Sequence, residues 1–305
     1  MLNFVSYLAS APVGPKNDHK REILKLFASG VRSVGDNSLE QVGNDLVPAR
    51  VAFIQGWIHE HSPNTPHLLL RKKVSVFQQR SNNHTLIVDS NLFNYIDGNK
   101  LKTYSRFSFD GVFPPTGNYF WDNPDPLRWQ SISKNLGIKL KPWRQNGSHI
   151  LICTQRNGGW SMKNLDVSAW LSQTINEIRK HSNRPIVVRA HPGDKNSNLY
   201  LTNKDKRYRL SANPLILQDF INAHAVVTYN SSPGVAAAIE GIPCFVTDPN
   251  PAYSQASEVA NTDLSRIENP LLPDRQQWIE KISMCHWNRD EIKDGSCWLH
   301  IKKYL

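Results

Sequence analysis

Short runs of hydrophobic, often β-branched residues alternate along this chain with longer segments in which apolar residues recur every three or four positions. The short runs predict buried strands, and the longer segments predict amphipathic helices. The predicted strands are residues 2–8, 50–55, 85–89, 104–109, 148–154, 185–188, 225–228 and 244–246. The predicted helices are residues 18–30, 67–79, 127–136, 166–181, 215–222, 234–240 and 274–285. This alternation indicates an α/β protein in which helices cover mostly parallel sheets.

The composition changes over residues 117–143, where a turn at 123–126 and a basic connector at 137–142 interrupt the alternation. A fresh strand follows at once, and 305 residues are enough for two ordinary domains. We therefore predict an N-terminal domain over 1–145, a C-terminal domain over 146–286 and a tail over 287–305 that packs back on the N-terminal domain.

The stretch 223–249 has the clearest local pattern, because a strand passes directly into an alanine-rich helix through a cluster of polar residues. Asn230, Ser231 and Ser232 are typical N-cap residues, and Pro233 suits the first helical position. Gly234 opens the helix. In an open parallel sheet ligands bind where the strands end, so this cluster is a candidate binding site.

Two other loops follow predicted strands in the same half of the chain. One contains Arg156, Gly158 and Gly159, and the other contains Arg189 and His191. A parallel sheet would bring all three loops to one edge, where arginine, histidine, hydroxyls and glycine backbone suit a phosphate or diphosphate. Taken singly, each residue is also explained as an ordinary turn, surface or loop residue.

The totals narrow the class of protein. The net charge of +10 indicates a polyanionic partner or an acidic membrane surface. The four cysteines lack CxxC spacing, and no apolar run of membrane-spanning length or signal-peptide pattern occurs, so we expect a soluble cytoplasmic protein. Neither a P-loop, a G-x-G-x-x-G fingerprint nor a G-x-S-x-G elbow is present, and we expect no metal site and no cofactor.

The order Arg189-Ala-His-Pro, then Tyr229-Asn-Ser-Ser-Pro-Gly and Gly241-Ile-Pro, resembles the donor half of GT-B glycosyltransferases. It is most similar to capsule-polysaccharide (Kdo-type) transferases and to bacteriophage sugar transferases that modify DNA. The resemblance implies two Rossmann-like domains facing a central cleft, a nucleotide-sugar co-substrate held by the second domain, and inverting, metal-independent transfer.

Two further site residues come from that resemblance. Asp110, in Asp-Gly-Val-Phe, resembles the acidic loop that supplies the catalytic base in the capsule enzymes, although it is equally explained as a turn residue. Asp89, Glu60 and Asp122, each at or near the end of a predicted element in the first domain, are the next candidates for the base. Many such transferases have a ribose-binding glutamate two residues after the helix glycine, where this chain has Ala236. Glu240, one turn later, is the remaining candidate for that donor contact.

The acceptor is predicted from charge. Residues 1–147 hold 18 Lys and Arg against 11 Asp and Glu, a balance of +7, while the remainder has a balance of +3. In a GT-B enzyme the first domain faces the acceptor, so the basic excess lies on the acceptor side. We therefore expect double-stranded DNA with a hydroxymethylated base as a partner. If the protein is encoded by a phage, the expected location is the host cytoplasm. The residues predicted to contact it are Arg71, Lys72, Lys73, Lys141 and Arg144. A capsule or lipid-linked glycan acceptor, and a non-catalytic nucleotide-binding or nucleic-acid-binding module, remain open, as does the oligomeric state.

Overall fold

The computed structural model describes residues 2–58, 64–93, 95, 104–162, 165–202 and 205–305. Strands and helices alternate along it, which confirms the predicted α/β class. In chain order the elements are β1 (Leu2–Tyr7), α1 (Asp18–Ser33), β2 (Ser38–Gln41), β3 (Ala49–Gln55), α2 (Pro66–Arg80), β4 (His84–Asp89), β5 (Tyr104–Phe109), α3 (Pro126–Leu136), β6 (His149–Cys153), α4 (Val167–Arg179), β7 (Ile186–Arg189), β8 (Arg209–Leu210), α5 (Ile216–Asp219), β9 (Ala223–Thr228), α6 (Pro233–Ile239), β10 (Cys244–Val246), α7 (Gln276–Ser283), β11 (His286–Asn288), α8 (Arg289–Lys293) and α9 (Ser296–Ile301).

The chain divides into two compact units, one formed by Met1–Trp129 with Glu280–Leu305 and the other by Gln130–Ile279. The sequence prediction had placed the boundaries at 145/146 and 286/287. The basic connector belongs to the second unit because its backbone is bonded there: Lys141 N donates to Ile239 O at 3.0 Å and Arg144 N to Gly241 O at 2.6 Å.

The sheet of the first unit has the order β11-β5-β4-β3-β1-β2. Strands β1 to β4 are mutually parallel, whereas β5 runs antiparallel to both of its neighbours. The end of β5 therefore lies beside the beginning of β4, with Phe109 opposite Leu86. Whatever follows β5 is thereby directed to the amino-end edge of β4.

Aromatic side chains fill the core of the first unit. The rings of Phe4 and Phe27 stack at 5.1 Å, and Trp298 from α9 packs edge-on against Phe4 at 5.4 Å. The C-terminal residues are thus part of this core. Gly30 in α1 permits the close approach of α8, since a Cβ at that position would lie 1.8 Å from the carbonyl oxygen of Ile292.

The sheet of the second unit has the order β10-β9-β6-β7-β8, and all of its strand pairs are parallel. Aliphatic residues of β6, β7 and β9 pack against Trp170, Leu171 and Ile175 of α4, which form the buried face of that helix. The predicted helix over 166–181 is confirmed, with Asp166 as the N-cap: its Oδ1 accepts from Ala169 N at 2.8 Å.

Both sheets have a topological switch point. In the first unit the chain goes from β1 through α1 to β2 on one side, and then to β3 on the other side of β1. In the second unit it goes from β6 to β7 and β8 on one side, and then to β9 on the other side of β6. Crevices at such points, outside the carboxyl ends of the strands, are where open α/β sheets bind ligands.

Cys153, Cys244, Cys285 and Cys297 are buried free thiols. In the described ranges, none of the helices has the length and hydrophobicity needed to cross a membrane.

Candidate functional site

Three predicted site loops lie together at the carboxyl edge of the second unit's sheet. Cys153, the last residue of β6, pairs with Arg189 on one side and with Thr228 on the other. The loops that follow these three strands therefore leave the sheet at the same level. The switch point falls between two of them, because it separates β6 from β9.

A network of buried polar side chains crosses this switch point. Asn230 N donates to Gln155 Oε1 at 3.1 Å, and Gln155 Nε2 donates to Ser161 Oγ at 2.7 Å. The amide of Asn230 in turn donates to Asp248 Oδ2 at 2.8 Å. Burial, together with the neighbouring Asp248 carboxylate, raises the pKa of Tyr229 to about 12. The network fixes the first residues after β6, β9 and β10 relative to one another.

Gln155 and Asp248 were missed by the sequence analysis, although each follows a strand at the carboxyl edge. The signal for Asp248 in the sequence is its place just after a short hydrophobic run. Asp248 is 4% exposed, and its two carboxylate oxygens accept from Asn230 Nδ2 at 2.8 Å and from Asn250 N at 3.0 Å, so it holds Asn230 and the loop after β10 together.

The turn between β9 and α6 leaves hydroxyl groups without a protein partner. Ser231 Oγ is buried and has no hydrogen-bond partner among the described residues, and the same is true of Thr228 Oγ1. Ser232 occupies the N-cap position of α6, but its side chain makes no capping bond, which corrects the expectation that these hydroxyls cap the helix. Gly234 lies beside Thr228, and a Cβ added at Gly234 would lie 3.6 Å from Thr228 Oγ1, an ordinary van der Waals distance.

The loop after β6 is held in a tight turn by Asn157. Asn157 Oδ1 accepts from Gly158 N at 3.1 Å and from Val167 N at 3.3 Å, while Gly158 adopts a φ of +66°. Arg156 and Gly158 are exposed, and Gly159 is buried with its amide bonded to Arg156 O at 2.9 Å.

Asp194 ties the loop after β7 to the loop after β6, since its Oδ2 accepts from Asn157 N at 2.9 Å. Burial alone would raise the pKa of Asp194, but hydrogen bonds from Asn157, Tyr200 and Asn196 hold it below its usual value. This bond joins the two loops, and His191 lies in the loop after β7, three residues before Asp194.

His191 is set up as a neutral hydrogen-bond donor. Its Nδ1 accepts from Gly193 N at 3.0 Å, which leaves the ring proton on Nε2. Burial and the nearby positive charge of Arg156 lower the pKa of His191, so the ring is neutral at pH 7.

Arg189 does not face the predicted phosphate site. Its Nη1 donates to Asp219 Oδ2 at 2.5 Å and to Asn213 O at 2.8 Å, and its Nη2 donates to Pro214 O at 3.0 Å. The guanidinium is 15% exposed and the Asp219 carboxylate only 2% exposed. Arg189 therefore holds the segment before α5 against the sheet, and its charge is already neutralised.

Glu240 lies away from the three loops, and its partner Lys141 lies with it. Glu240 follows the last residue of α6, a helix that begins at the carboxyl edge and so ends at the opposite edge, and its carboxylate is ion-paired with Lys141. Arg144, nearby, donates through Nη1 to Phe220 O at 2.8 Å and to Ala223 O at 2.7 Å. These contacts tie the connector to the amino-end edge of the second sheet. They leave Glu240 out of the predicted donor site, and they engage the two cations that were predicted to contact DNA.

Asp110 likewise lies at the amino-end edge of its sheet, because β5 runs antiparallel to β4. Its Oδ2 bonds His84 Nδ1 at 2.7 Å, and its Oδ1 accepts from Thr85 N at 2.7 Å. Its backbone adopts a φ of +62°. The loop after β5 therefore lies at the edge opposite to the one where open α/β sheets bind ligands, which does not favour the catalytic role predicted for Asp110. Asp89 does end a strand at the carboxyl edge, where Arg106 Nη2 donates to its Oδ2 at 2.5 Å.

The remaining predicted DNA contacts lie on α2. Arg71 is 6% exposed and bonded to backbone and side-chain oxygens of its own unit, so its guanidinium cannot lie along a phosphate backbone. Lys72 and Lys73 are exposed. Glu60, a further candidate base from the sequence, lies outside the described residues.

No protein-family model matches this chain, and no curated protein matches its sequence. Among solved structures it is similar to two from the KpsC protein of Thermosulfurimonas dismutans. The structure described as the beta Kdo 2,7 transferase has a TM-score of 0.55 at 11% identity, with both chains covered in full. The structure described as the beta Kdo 2,4 transferase has a TM-score of 0.56 at 11% identity, over 93% of this chain and 90% of the other. The fold is GT-B.

The GT-B fold consists of two Rossmann-like units, and each of the two units described above is of that kind. At 11% identity the likeness carries the fold and no residue roles. The two neighbours are described as Kdo transferases, which is compatible with the capsule Kdo-type side of the sequence resemblance, and the bacteriophage side stays a prediction.

Proposed function

We propose that this protein is a glycosyltransferase that moves a sugar from a nucleotide-sugar donor to an acceptor hydroxyl, with inversion and without a metal ion. The observation that carries the proposal is a set of unengaged donors at the switch point of the second unit of a GT-B fold. In the described part of the chain, Ser231 Oγ is buried without a hydrogen-bond partner, and His191 uses its Nδ1 to accept from Gly193 N, which leaves the Nε2–H as a donor. Arg156 is exposed, and its positive charge contributes to the lowered pKa of His191.

These groups suit the diphosphate of a sugar nucleotide. A hydroxyl and a neutral imidazole donate single hydrogen bonds, and an arginine adds a charge-assisted one. When the acceptor hydroxyl attacks the anomeric carbon, the bond to the diphosphate oxygen breaks and negative charge accumulates on that oxygen. Donors held in place by the network around Asn230 would stabilise that charge without having to reorganise.

The attacking hydroxyl must lose its proton, and a carboxylate within hydrogen-bond reach is the usual acceptor. Asp110 was the base predicted from sequence. Asp89 has the stronger geometric support, because it ends a parallel strand at the carboxyl edge and keeps one carboxylate oxygen clear of its bond to Arg106. We propose Asp89 as the base and retain Asp110 as the alternative.

Two acceptor classes follow from the sequence and from the fold. The KpsC neighbours are named as Kdo transferases, which favours a glycan hydroxyl. A hydroxymethylated base in duplex DNA rests on the basic first half of the chain, yet Arg71, Lys141 and Arg144 are engaged within the protein and leave Lys72 and Lys73. We therefore favour the glycan and keep DNA as the second candidate.

Calorimetry with a panel of nucleotide sugars tests the donor site. We expect His191→Ala and Ser231→Ala each to weaken binding by about 1–3 kcal/mol, the cost of losing a hydrogen bond to a charged group. His181→Ala, on the surface at the far edge of the same unit, is the matched control and should bind normally. Equal affinities in all three variants would rule out this donor site.

Mass spectrometry then identifies the acceptor, after incubation of each bound sugar nucleotide with hydroxymethylated duplex DNA or with acidic and neutral oligosaccharides. A glycosylated oligosaccharide supports the favoured assignment, and a glycosylated nucleoside supports the DNA candidate. Donor binding with neither product would assign the chain to the non-catalytic module class and overturn the proposal.

A further inference from the structure

The switch point of the first unit, between β1 and β3, has a cation buried at its base. Arg71 extends from α2 into the space between the ends of these two strands. Its Nε donates to Ser10 O, just after β1, at 2.8 Å, and its Nη2 donates to Gln55 Oε1, at the end of β3, at 2.8 Å. Gly56, with a φ of +71°, lets the chain pass close to the guanidinium: a Cβ there would lie 3.1 Å from Nη1.

Among the described residues, the oxygens that Arg71 contacts are all neutral. Besides the bonds to Ser10 and Gln55, its Nη1 makes a long bond of 3.5 Å to Trp57 O. Burial lowers the pKa of Arg71 to about 10, and among the described residues Asp89 opposes this only as a nearby charge, its carboxylate being bonded to Arg106. A charge taken out of water is normally paired, because the cost of removing it from water is otherwise not recovered. Arg71 is therefore a buried cation without a contacting carboxylate in the described part of the chain.

A second cation belongs to the same edge of the sheet. Lys20 lies in the first turn of α1, the helix that follows β1 and Ser10, and it is half-buried. Burial lowers the pKa of Lys20, and the positive charge of Arg71 lowers it further. His67, near the start of α2, has its pKa lowered by burial and by the charges of Arg71 and Lys20. Two like charges brought together in a half-buried position repel each other, and an anion between them removes that cost.

Three features coincide at this edge: the switch point of a parallel sheet, a buried guanidinium with neutral contacts, and a second cation in the first turn of the helix that follows β1. We propose that Lys20 and Arg71 form an anion site that takes one carboxylate or phosphate group of the acceptor. This site is distinct from the donor site described above, and its assignment to the acceptor rests on the proposed function.

The arrangement fits one compact anionic group better than a polyanion. A protein that binds along nucleic acid needs cations spread over an exposed surface, so that several phosphates are neutralised at once. Here the guanidinium is 6% exposed and lies at the base of the strand ends. We therefore assign the anion to an acidic or phosphorylated sugar and treat duplex DNA as an outcome of the test.

The test is titration calorimetry of the full chain with glucuronate, methyl phosphate, neutral methyl glucoside and a short DNA duplex. We expect the wild-type protein to bind at least one of the two small anions and not the neutral sugar. Lys20→Gln should weaken that binding about tenfold or more, the loss of one charge-assisted bond, and Lys20→Arg should restore most of it. Lys25→Gln removes an exposed lysine from the same helix and is the matched control, with unchanged binding.

The two small anions distinguish the source of the group: preference for glucuronate indicates a sugar carboxylate, and preference for methyl phosphate indicates a phosphorylated sugar. Absence of anion binding, or equal weakening by Lys20→Gln and Lys25→Gln, would overturn the site. Lys20-dependent binding to DNA alone would overturn the assignment to a sugar. Affinity for nucleotide sugars, measured in the same Lys20→Gln protein, should be unchanged, so failure of the anion site and failure of the donor site give different results.

Discussion

Replacing Arg189 by alanine separates a structural arginine from a ligand-binding one. The sequence pattern assigned both Arg156 and Arg189 to the donor site, but only Arg189 is bound to a buried carboxylate. In Arg189→Ala the Asp219 carboxylate, 2% exposed, loses its cation, and the carbonyl oxygens of Asn213 and Pro214 lose their donors. The expected effect is therefore on folding stability.

The magnitude follows from these contacts. Breaking a buried ion pair by removing one partner costs about 3–5 kcal/mol. Asp219 keeps hydrogen bonds from Ser211 Oγ at 2.6 and 2.7 Å and from Asn213 Nδ2 at 2.7 Å, so it is not left without donors. We expect a loss at the lower end, about 3 kcal/mol, which in a unit of this size lowers the melting temperature by roughly 6–12 °C.

Urea and thermal unfolding followed by circular dichroism measure this loss, with Arg156→Ala as the matched control. Arg156 is exposed, so its removal should change stability by less than about 0.5 kcal/mol while weakening nucleotide-sugar binding. The reasoning would be refuted if Arg189→Ala unfolded like the wild type and lost donor affinity, because Arg189 would then be a ligand contact after all.

Three other changes test the rest of the structure. Asp89→Asn should lower turnover by roughly two to four orders of magnitude at unchanged donor affinity, and Asp110→Asn should leave turnover nearly intact; the reverse result would return the base to Asp110. Burial lowers the pKa of His286 to about 3, so on acidification this histidine is protonated in the unfolded chain before it is protonated in the folded protein. The free energy of unfolding should therefore keep its full value above about pH 6.5 and fall toward pH 3 by up to ~1.4 kcal/mol per pH unit. Acid titration of His286→Gln should show a smaller slope. Gly30→Ala should destabilise the first unit in thermal unfolding, because the added Cβ would collide with Ile292 O. Ala28→Gly, which removes only a methyl group from the same helix, is the comparison variant. An unchanged melting temperature for Gly30→Ala would contradict the close packing of α1 on α8.

The edge of the second sheet was predictable because strand and loop signals coincide there. Each of β6, β7 and β9 is a short hydrophobic run, and the loops that follow them contain Gly158, His191 and Asn230. Parallel strands place such loops together at one edge of the sheet. The position of His191 and of Ser231 follows from that rule alone. The hydrogen bond that joins the loops after β6 and β7 does not follow from it, since Asn157 and Asp194 meet only after these loops fold.

The direction of β5 was not predictable from the sequence, and the position of Asp110 depends on that direction. Alternating residues from Tyr104 to Phe109 are compatible with a strand of either direction, because side chains alternate in both. The antiparallel pairing with β4 carries Asp110 to the edge opposite Asp89. Basic residues were misassigned for a related reason: the sequence records the charge of Arg71, Arg144 and Arg189 but not the carbonyl and carboxylate groups that fold against them.

The two switch points differ in a way that fits a division of labour. Around β6 and β9 the available groups are a hydroxyl, a neutral imidazole and one exposed arginine, which can bind a diphosphate and release it after transfer. Around β1 and β3 they are a buried guanidinium and a half-buried lysine, with the carboxylate of Asp89 at the end of the next strand. Cations that fix an anionic group near a carboxylate would hold an acceptor in one orientation while the carboxylate takes its proton. We infer that donor binding depends on the second unit and acceptor orientation on the first, so Lys20→Gln should raise KM for the acceptor and leave KM for the donor unchanged.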